Sequence, residues 1–169
     1  TSLTTVGDIS KWNTHNVHSI RDMFYGTYAM KSIDLSGWDT SSLSIAGELF
    51  RYTGASIINI SNWDLSNLKH YNVYGFVKAD GEYHGTTDMF RNLINKAVIL
   101  MNNVTLPSST NAFIVTDFAG NKPIAVIAND KNGNELTELT ALNRQTWTDG
   151  AGNTIIGRQN SNVLTYVDV

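Results

Sequence analysis

The chain has 169 residues and a formal net charge of −3, from 12 Lys and Arg against 15 Asp and Glu. Neither sign of charge forms a block, so we do not expect the chain to bind nucleic acid. No apolar run approaches the roughly 18 residues of a membrane span, so we do not expect it to insert into a membrane. The absence of Cys excludes disulfides, thiol catalysis and thiolate metal sites. Small polar residues are abundant, with 19 Asn, 18 Thr and 14 Ser, which favours stacked rows on a β-rich surface.

The sequence repeats with a period of about 25 residues. A Trp recurs after steps of 26 and 25 residues, and a Phe follows the first and second Trp at a distance of 12 residues. In the third unit the Phe comes 27 residues after the Trp, so about 15 residues are inserted between the two blocks. The repeated positions are Trp12, Trp38 and Trp63 in the first block and Phe24, Phe50 and Phe90 in the second. A period of this length indicates a repeat architecture.

Each unit contains one pattern typical of a strand and one typical of a short helix. Residues 33–35 and 58–60 alternate apolar and polar side chains, whereas residues 20–24 and 45–50 space their apolar side chains three and four apart. The predicted fold class is an α/β solenoid, short, right-handed and leucine-rich-repeat-like, with a strand and a short helix in each coil. The predicted core consists of the Trp ladder, the Phe ladder and a strand ladder of Ile9, Leu35, Ile60 and Leu100, faced by Met23, Leu49 and Met89.

Three segments carry a resemblance to a known family. They are Trp-Asp-Thr-Ser at 38–41, Asp-Met-Phe-Tyr-Gly at 22–26 and Lys-Ser-Ile-Asp-Leu-Ser-Gly-Trp-Asp at 31–39. Over roughly residues 8–103 the chain resembles the BspA-like leucine-rich repeat of bacterial surface proteins. The resemblance weakens in the second unit, where Gly47-Glu48-Leu49 replaces a methionine-rich turn, and in the fourth, which has no Trp.

The resemblance implies an exported, wall-attached protein of Gram-positive bacteria or a similar microbe. Its implied function is that of a cell-surface adhesin, and its implied partners are host mucin, extracellular matrix and epithelial proteins or glycans. It implies no catalytic residues, and we expect no cofactor. Two alternatives remain open at this point, a structural spacer or stalk of a wall-anchored protein and a carbohydrate-active enzyme.

The chain divides into two expected parts. Residues 1–106 are expected to form the repeat solenoid, with an insertion at 69–85, and residues 107–169 a β-rich module or cap packed on the last coil. The second part contains β-branched or aromatic runs, such as residues 123–128, and hairpin-type turn signals such as Asn132-Gly133. Because the chain starts without Met, we expect a monomeric module of a longer protein whose anchoring signals lie outside it.

Acidic and His residues offer three possible metal sites, and for each of them we favour a simpler interpretation. Asn13, Asp39 and Asp64 follow the Trp ladder and are expected to cap turns rather than to bind Ca²⁺. Residues 130–135 are expected to form a hairpin loop, because their spacing departs from that of an EF-hand. The four His residues, at 15, 18, 70 and 84, are expected to be solvated rather than to form a zinc site.

The insertion at 69–85 is the predicted ligand-binding segment, because extra residues in a stacked repeat must bulge from one face. Its amphipathic rings could stack on sugars or anchor a protein partner. The residues predicted to bind ligand are Tyr71, Tyr74, Tyr83 and His84. Two alternatives are a lid, in which Val73, Phe76 and Val77 fold back on the coil, and a ligand surface elsewhere, beside Asp34 and Asn59 or on the β module.

Overall fold

A computed structural model describes residues 2–68, 89–91, 93–94, 97–108 and 125–140, together with the strand backbone of 146–148 and 154–156. The elements in chain order are β1 (Ser32–Asp34), β2 (Ile57–Asn59), β3 (Val98–Met101), β4 (Ala125–Ala128), α1 (Thr137–Thr140), β5 (Thr146–Thr148) and β6 (Thr154–Ile156).

Strands β1 to β4 form one parallel sheet in chain order, and β5 pairs with β6 in a separate antiparallel ribbon. The central register aligns Ile33, Ile58, Ile99 and Val126, all of which are buried. Strand β4 falls in the part expected to be a separate module, yet it is hydrogen-bonded to β3. The sheet therefore crosses the expected boundary at residue 106, while the division of the chain into 1–106 and 107–169 stays a prediction.

The predicted α/β solenoid of strand-plus-helix coils is wrong. The structure is a small four-stranded parallel sheet whose described connections are made of turns. Within the described residues the only α-helix is α1, which has four residues and lies beside β4. The two segments predicted to be helical, 20–24 and 45–50, form consecutive turns instead.

Hydrogen bonding explains why these segments are turns. The N–H of Tyr25 donates to the carbonyl of Asp22, three residues back, at 3.0 Å. The N–H of Phe24 donates instead to the carbonyl of Leu49 in the next repeat, also at 3.0 Å. An α-helix would need each N–H to bond four residues back within the same segment. In addition, Asp22 and Glu48 have φ angles of 58° and 55°, in the left-handed region that breaks a right-handed helix.

Both predicted aromatic ladders are confirmed. In the Trp ladder the ring centroids are 6.1 and 6.3 Å apart, and in the Phe ladder they are 5.8 and 5.2 Å apart, with the rings nearly parallel in each pair. The members are Trp12, Trp38 and Trp63 in one ladder and Phe24, Phe50 and Phe90 in the other. All except Trp12 are buried, so these ladders form the centre of the core.

The predicted strand ladder is wrong by one residue in its fourth member. Leu100 pairs with Asn59, which places Met101 opposite Ile60, and Met101 is fully buried. The run 98–101 is apolar throughout, so the sequence contains no alternation that would fix which residue points inward. Met23, which was expected to face this ladder, is 40% exposed, whereas its equivalents Leu49 and Met89 are fully buried.

Candidate functional site

The residues predicted to bind ligand, Tyr71, Tyr74, Tyr83 and His84, lie outside the described residues, as does the insertion at 69–85. Their role stays a prediction. The described part of the chain nevertheless contains the polar columns and the exposed side chains of the first repeats, from which a candidate surface can be built.

The acidic column that follows the Trp ladder caps turns, as predicted. Oδ1 of Asp39 accepts hydrogen bonds from the N–H and the hydroxyl of Ser41, at 3.0 and 2.6 Å. Oδ1 of Asp64 accepts from the N–H of Ser66 at 2.9 Å. The bonds from Ser41, followed by the contact with His15, lower the pKa of Asp39 to about 2. The carboxylate is therefore held in its ionised form by the turn that it closes.

A second polar column ends the strands in the same way. Oδ1 of Asp34 accepts from both the N–H and the hydroxyl of Ser36, at 3.0 and 2.7 Å. Oδ1 of Asn59 accepts from the N–H of Ser61 at 3.1 Å. Asp34 and Asn59, which mark the alternative ligand surface, are thus hydrogen-bonded within their own turns.

The loop at 130–135 is a hairpin loop, as predicted. Oδ1 of Asp130 accepts from the N–H groups of Asn132 and Asn134, at 2.8 and 2.9 Å, and Asn129 bridges to Glu135 in antiparallel fashion. The hydrogen bonds from Asn134, then those from Asn132, lower the pKa of Asp130. Its oxygens are directed at the loop's own backbone, which is the arrangement of a turn rather than of an ion site.

The two described His residues are exposed and bind different partners. Nδ1 of His15 lies 2.9 Å from Oδ2 of Asp39, and Nδ1 of His18 lies 2.9 Å from the carbonyl oxygen of Ser42. Among the described residues, no three His, Cys, Asp or Glu side chains gather closely enough to hold a metal ion. His70 and His84 lie outside these residues.

Exposed apolar side chains are concentrated in the first repeat. Tyr25 is 42% exposed and Tyr28 is 55% exposed, although aromatic rings usually bury most of their surface. Five of the six exposed large apolar side chains in the described residues lie between residues 3 and 28. The six are Leu3, Trp12, Met23, Tyr25, Tyr28 and Ile94.

A charged group of the next repeat supports the ring of Tyr25. The edge of Tyr25 meets the ring of Tyr52 at a centroid distance of 5.7 Å and an interplanar angle of 87°. The guanidinium of Arg51 lies 4.9 Å from the Tyr52 ring centroid and 2.8 Å from a carboxylate oxygen of Glu48. Arg21 approaches the same carboxylate at 3.6 Å. Tyr52 is thereby fixed between a cation and an aromatic edge.

Two glycines lie beside Tyr28, one near its ring and one near its backbone. Gly26 has a φ of 64°, and a Cβ there would lie 3.7 Å from the Tyr28 ring, so the ring folds over a bare stretch of backbone. A Cβ on Gly54 would lie only 1.9 Å from the carbonyl oxygen of Tyr28, so only glycine allows the next repeat to come this close. We call Tyr25, Tyr28 and Tyr52 the tyrosine surface.

Sequence reasoning missed the tyrosine surface, although a signal existed. The position after the ladder Phe is Tyr25 in the first repeat, Arg51 in the second and Arg91 in the third. A position that accepts both tyrosine and arginine is predicted to be at least partly exposed, because a fully buried arginine without a partner is very costly. The ligand-binding prediction was placed on the tyrosines of the insertion instead, because aromatic residues are more densely clustered there.

A family model matches residues 3–82. The family is DUF285, described as a Mycoplasma protein of unknown function. The matched span contains the three Trp blocks and the tyrosine surface, and it ends inside the insertion. No curated protein and no solved structure matches the chain.

The DUF285 match supports the coarser part of the resemblance, a domain type of bacterial origin. The narrower assignment to BspA-like adhesins is a proposal, and wall attachment in Gram-positive bacteria stays a prediction. No helix in the described residues is long and apolar enough to cross a bilayer.

Proposed function

We propose that the chain is a non-enzymatic binding module of a bacterial cell-surface adhesin, which contacts host mucus, extracellular matrix or epithelial proteins and glycans. The observation that carries the proposal is the tyrosine surface, in which Tyr25 and Tyr28 are exposed and Tyr52 is half-buried. The resemblance to BspA-like repeats and the DUF285 match overlap over residues 8–82 and support a bacterial surface protein.

The tyrosine surface suits binding because its rings are exposed and already positioned. Tyr25 and Tyr28 together expose two amphipathic faces, and the ring of Tyr25 packs edge-to-face against Tyr52. A ring that is ordered before binding loses less side-chain entropy on association, which can otherwise cost about 0.5–1.5 kcal/mol for a mobile side chain. Tyrosines of this kind can stack on sugar rings or fill the centre of a protein interface.

The two alternatives fit the described residues less well. A spacer needs only a polar surface, and two exposed tyrosines with a supporting Arg and Glu are not required for it. An enzyme that cleaves polysaccharides needs carboxylates free to act as acid and base. Asp34, Asp39 and Asp130 instead accept hydrogen bonds from their own turns.

The test is to find the ligand and then to remove the rings. We expect the chain to bind at least one component of a glycan array or one of immobilised mucin and fibronectin. A Tyr25→Ala/Tyr28→Ala double variant should bind that component at least about tenfold more weakly, as loss of two interface hot spots does. Ile94→Ala is the matched control, because Ile94 is also exposed, at 47%, and lies in another repeat.

Three outcomes would contradict the proposal. Failure of the folded chain to bind any of these components would leave it without an adhesive function. Equal loss of binding in Ile94→Ala would show that the effect does not come from the tyrosine surface. Loss confined to a Tyr74→Ala/Tyr83→Ala variant would place the ligand on the insertion instead.

A further inference from the structure

The turns of the first two repeats place residues in the left-handed region at two equivalent positions. Asp22 and Glu48 have φ angles of 58° and 55°, and Gly26 and Tyr52 have φ angles of 64° and 58°. The members of each pair are 26 residues apart, which is also the offset of the buried hydroxyl pair that joins these repeats. The same backbone position is therefore filled by glycine in one repeat and by tyrosine in the next.

Tyr52 is poorly suited to this position. Glycine adopts a left-handed conformation without steric cost, whereas a bulky side chain is strained there. Among the five non-glycine residues with positive φ in the described ranges, Tyr52 is the only one without a side-chain carboxyl or amide group. Strained residues persist where the surrounding structure holds them, and they cluster at sites that bind ligands. The conformation of Tyr52 thus directs attention to the side chains that hold it.

Three side chains of the second repeat hold one another in place. Nη1 of Arg51 donates to Oε2 of Glu48 at 2.8 Å, and Nη2 of Arg51 donates to the hydroxyl of Tyr52 at 3.3 Å. The side chains of Glu48 and Arg51 are 22% and 23% exposed, and Tyr52 is half-buried. All three are therefore ordered by their neighbours and still reach the solvent. We call Glu48, Arg51 and Tyr52 the polar triad.

The polar triad is not required by the fold of a repeat. Its equivalents in the first repeat are Asp22, Tyr25 and Gly26, which form the same stacked turns with different side chains. The triad also belongs to an interior repeat, since the second repeat is hydrogen-bonded to the first on one side and to the third on the other. Its partial exposure is consequently a property of the stacked turns themselves.

We infer that the polar triad binds the hydroxyl groups of a glycan, which makes a glycan the class of ligand that the tyrosine surface takes. A hydroxyl both donates and accepts a hydrogen bond, a guanidinium only donates and a carboxylate only accepts, so Arg51 and Glu48 together match it. Each carboxylate oxygen can accept more than one hydrogen bond, so the bond from Arg51 leaves Glu48 able to accept another. The inference rests on the proposed function and specifies its ligand.

The surroundings of Tyr52 favour a glycan over a protein partner. The central residues of a protein interface lie in desolvated pockets whose neighbours exclude water. Tyr52 lies instead beside the charged side chains of Arg51 and Glu48, with Arg21 at 3.6 Å from the same carboxylate. Complete desolvation of these charges under a protein would be costly, whereas sugar hydroxyls can replace the water that hydrates them.

The test measures binding of the complete chain to immobilised mucin, before and after chemical removal of the mucin glycans. We expect the chain to bind intact mucin and to bind the deglycosylated form at least about tenfold more weakly. Free glycans released from the same mucin should compete for the chain.

Two substitutions in the polar triad should weaken binding to intact mucin at least about tenfold each. Tyr52→Asn removes the ring but introduces a residue that tolerates a left-handed backbone, and Arg51→Lys keeps the charge but loses the planar fork. Asn62→Gly is the matched control, because it changes a left-handed residue, with a φ of 67°, in the turn after β2. It should bind mucin as wild type does, and circular dichroism checks that each variant is folded.

A second measurement does not depend on the folding of those two variants. In wild-type chain labelled with fluorotyrosine, the ¹⁹F resonance of Tyr52, assigned with Tyr52→Phe, should shift when the free mucin glycans are added. A merely structural role of Tyr52 would leave this resonance in place.

Several results would overturn the inference. Equal binding to intact and deglycosylated mucin would make a protein the ligand and would leave the adhesive function standing. Wild-type binding by folded Tyr52→Asn and Arg51→Lys, an equal loss in Asn62→Gly, or an unmoved Tyr52 resonance would each show that the polar triad does not contact the glycan. A chain that binds neither glycans nor proteins would contradict the proposed function itself, so the two failures are distinguishable.

Discussion

Short-range hydrogen bonds determine what the acidic residues of the repeat can do. Asp39 and Asp64 each accept from the residue two positions later, and Asp34 does so at the end of β1. This pattern satisfies backbone N–H groups that would otherwise be unpaired in a tight turn. It also makes the carboxylates structural, so their protonation should affect folding before it affects any ligand.

The first prediction concerns the pH dependence of stability. The hydrogen bonds from Ser41, and then the contact with His15, hold the pKa of Asp39 at about 2, below its ordinary value of 3.8. The stabilisation is therefore complete above about pH 4 and is lost as the pH falls toward 2. Asp39→Asn keeps an oxygen for Ser41 but has no proton to gain.

The measurement is the melting temperature of both proteins between pH 5 and pH 2. Wild type should lose stability more steeply than Asp39→Asn below about pH 4. Both should still decline, because the pKa of Asp8 is lowered by its hydrogen bonds with Ser10 in the same way. Parallel curves for the two proteins would show that Asp39 contributes nothing to the acid response.

At the scale of elements, the turns and the ladders are the two structures that hold the repeats together. The turns alternate their hydrogen bonds between their own residues and the next repeat, and the ladders fill the space between turns and sheet. Both structures need a neighbour at a fixed offset. A single substitution in a turn or in a ladder should therefore change the free energy of unfolding in a way that a row of helices would not.

The second prediction tests the left-handed turn at Asp22. Because the φ angle of Asp22 is 58°, Asp22→Gly should be more stable than Asp22→Ala by about 1 kcal/mol. In a helix the order would be reversed, since alanine favours helix over glycine by about 0.8–1.0 kcal/mol. Urea unfolding of the two variants measures the difference, and its sign decides between turn and helix.

The third prediction concerns the Phe ladder. Phe50 is fully buried and stacks on Phe24 at 5.8 Å and on Phe90 at 5.2 Å, so both of its faces are covered. Phe50→Ala should lower the free energy of unfolding by about 3–5 kcal/mol, because it leaves a cavity in the middle repeat. Tyr28→Ala, with a ring that is 55% exposed, is the control and should cost far less. Equal effects in chemical denaturation would refute the ladder.

For the molecule as a whole, constant spacing made part of the structure predictable. The Trp and Phe ladders and the Asp caps recur at one phase, so the sequence alone placed them correctly. The left-handed turns were not predictable, because Asp22, Glu48 and Tyr52 adopt positive φ where a glycine would have been the usual signal. Apolar residues spaced three and four apart fitted both a helix and a pair of turns.

The pairing of β4 with β3 and the tyrosine surface were not predicted from the sequence, for different reasons. Strand β4 has neither the Trp nor the Phe that marks earlier repeats, so its pairing with β3 depends on contacts distant in sequence. From sequence alone, a tyrosine next to a buried Phe is expected to be buried as well. The conformation of the turn that carries it decides whether its side chain is exposed.

The fourth prediction concerns metal ions. Because Asp39, Asp64 and Asp130 have their oxygens directed at backbone N–H groups, the described repeats do not need an ion to fold. Addition of EDTA should leave the melting temperature of the whole chain unchanged. A fall of several degrees that Ca²⁺ reverses would show a bound structural ion, since a ligand of the folded state raises its stability.

The central claim is that the tyrosine surface contacts the host ligand. The direct measurement is ¹⁹F NMR of the chain labelled with fluorotyrosine at its 7 Tyr residues, with Tyr25 and Tyr28 assigned by their Phe variants. On addition of the glycan or protein found by the binding screen, we predict that the resonances of Tyr25 and Tyr28 shift. Shifts confined to Tyr71, Tyr74 and Tyr83, with Tyr25 and Tyr28 unchanged, would contradict the claim.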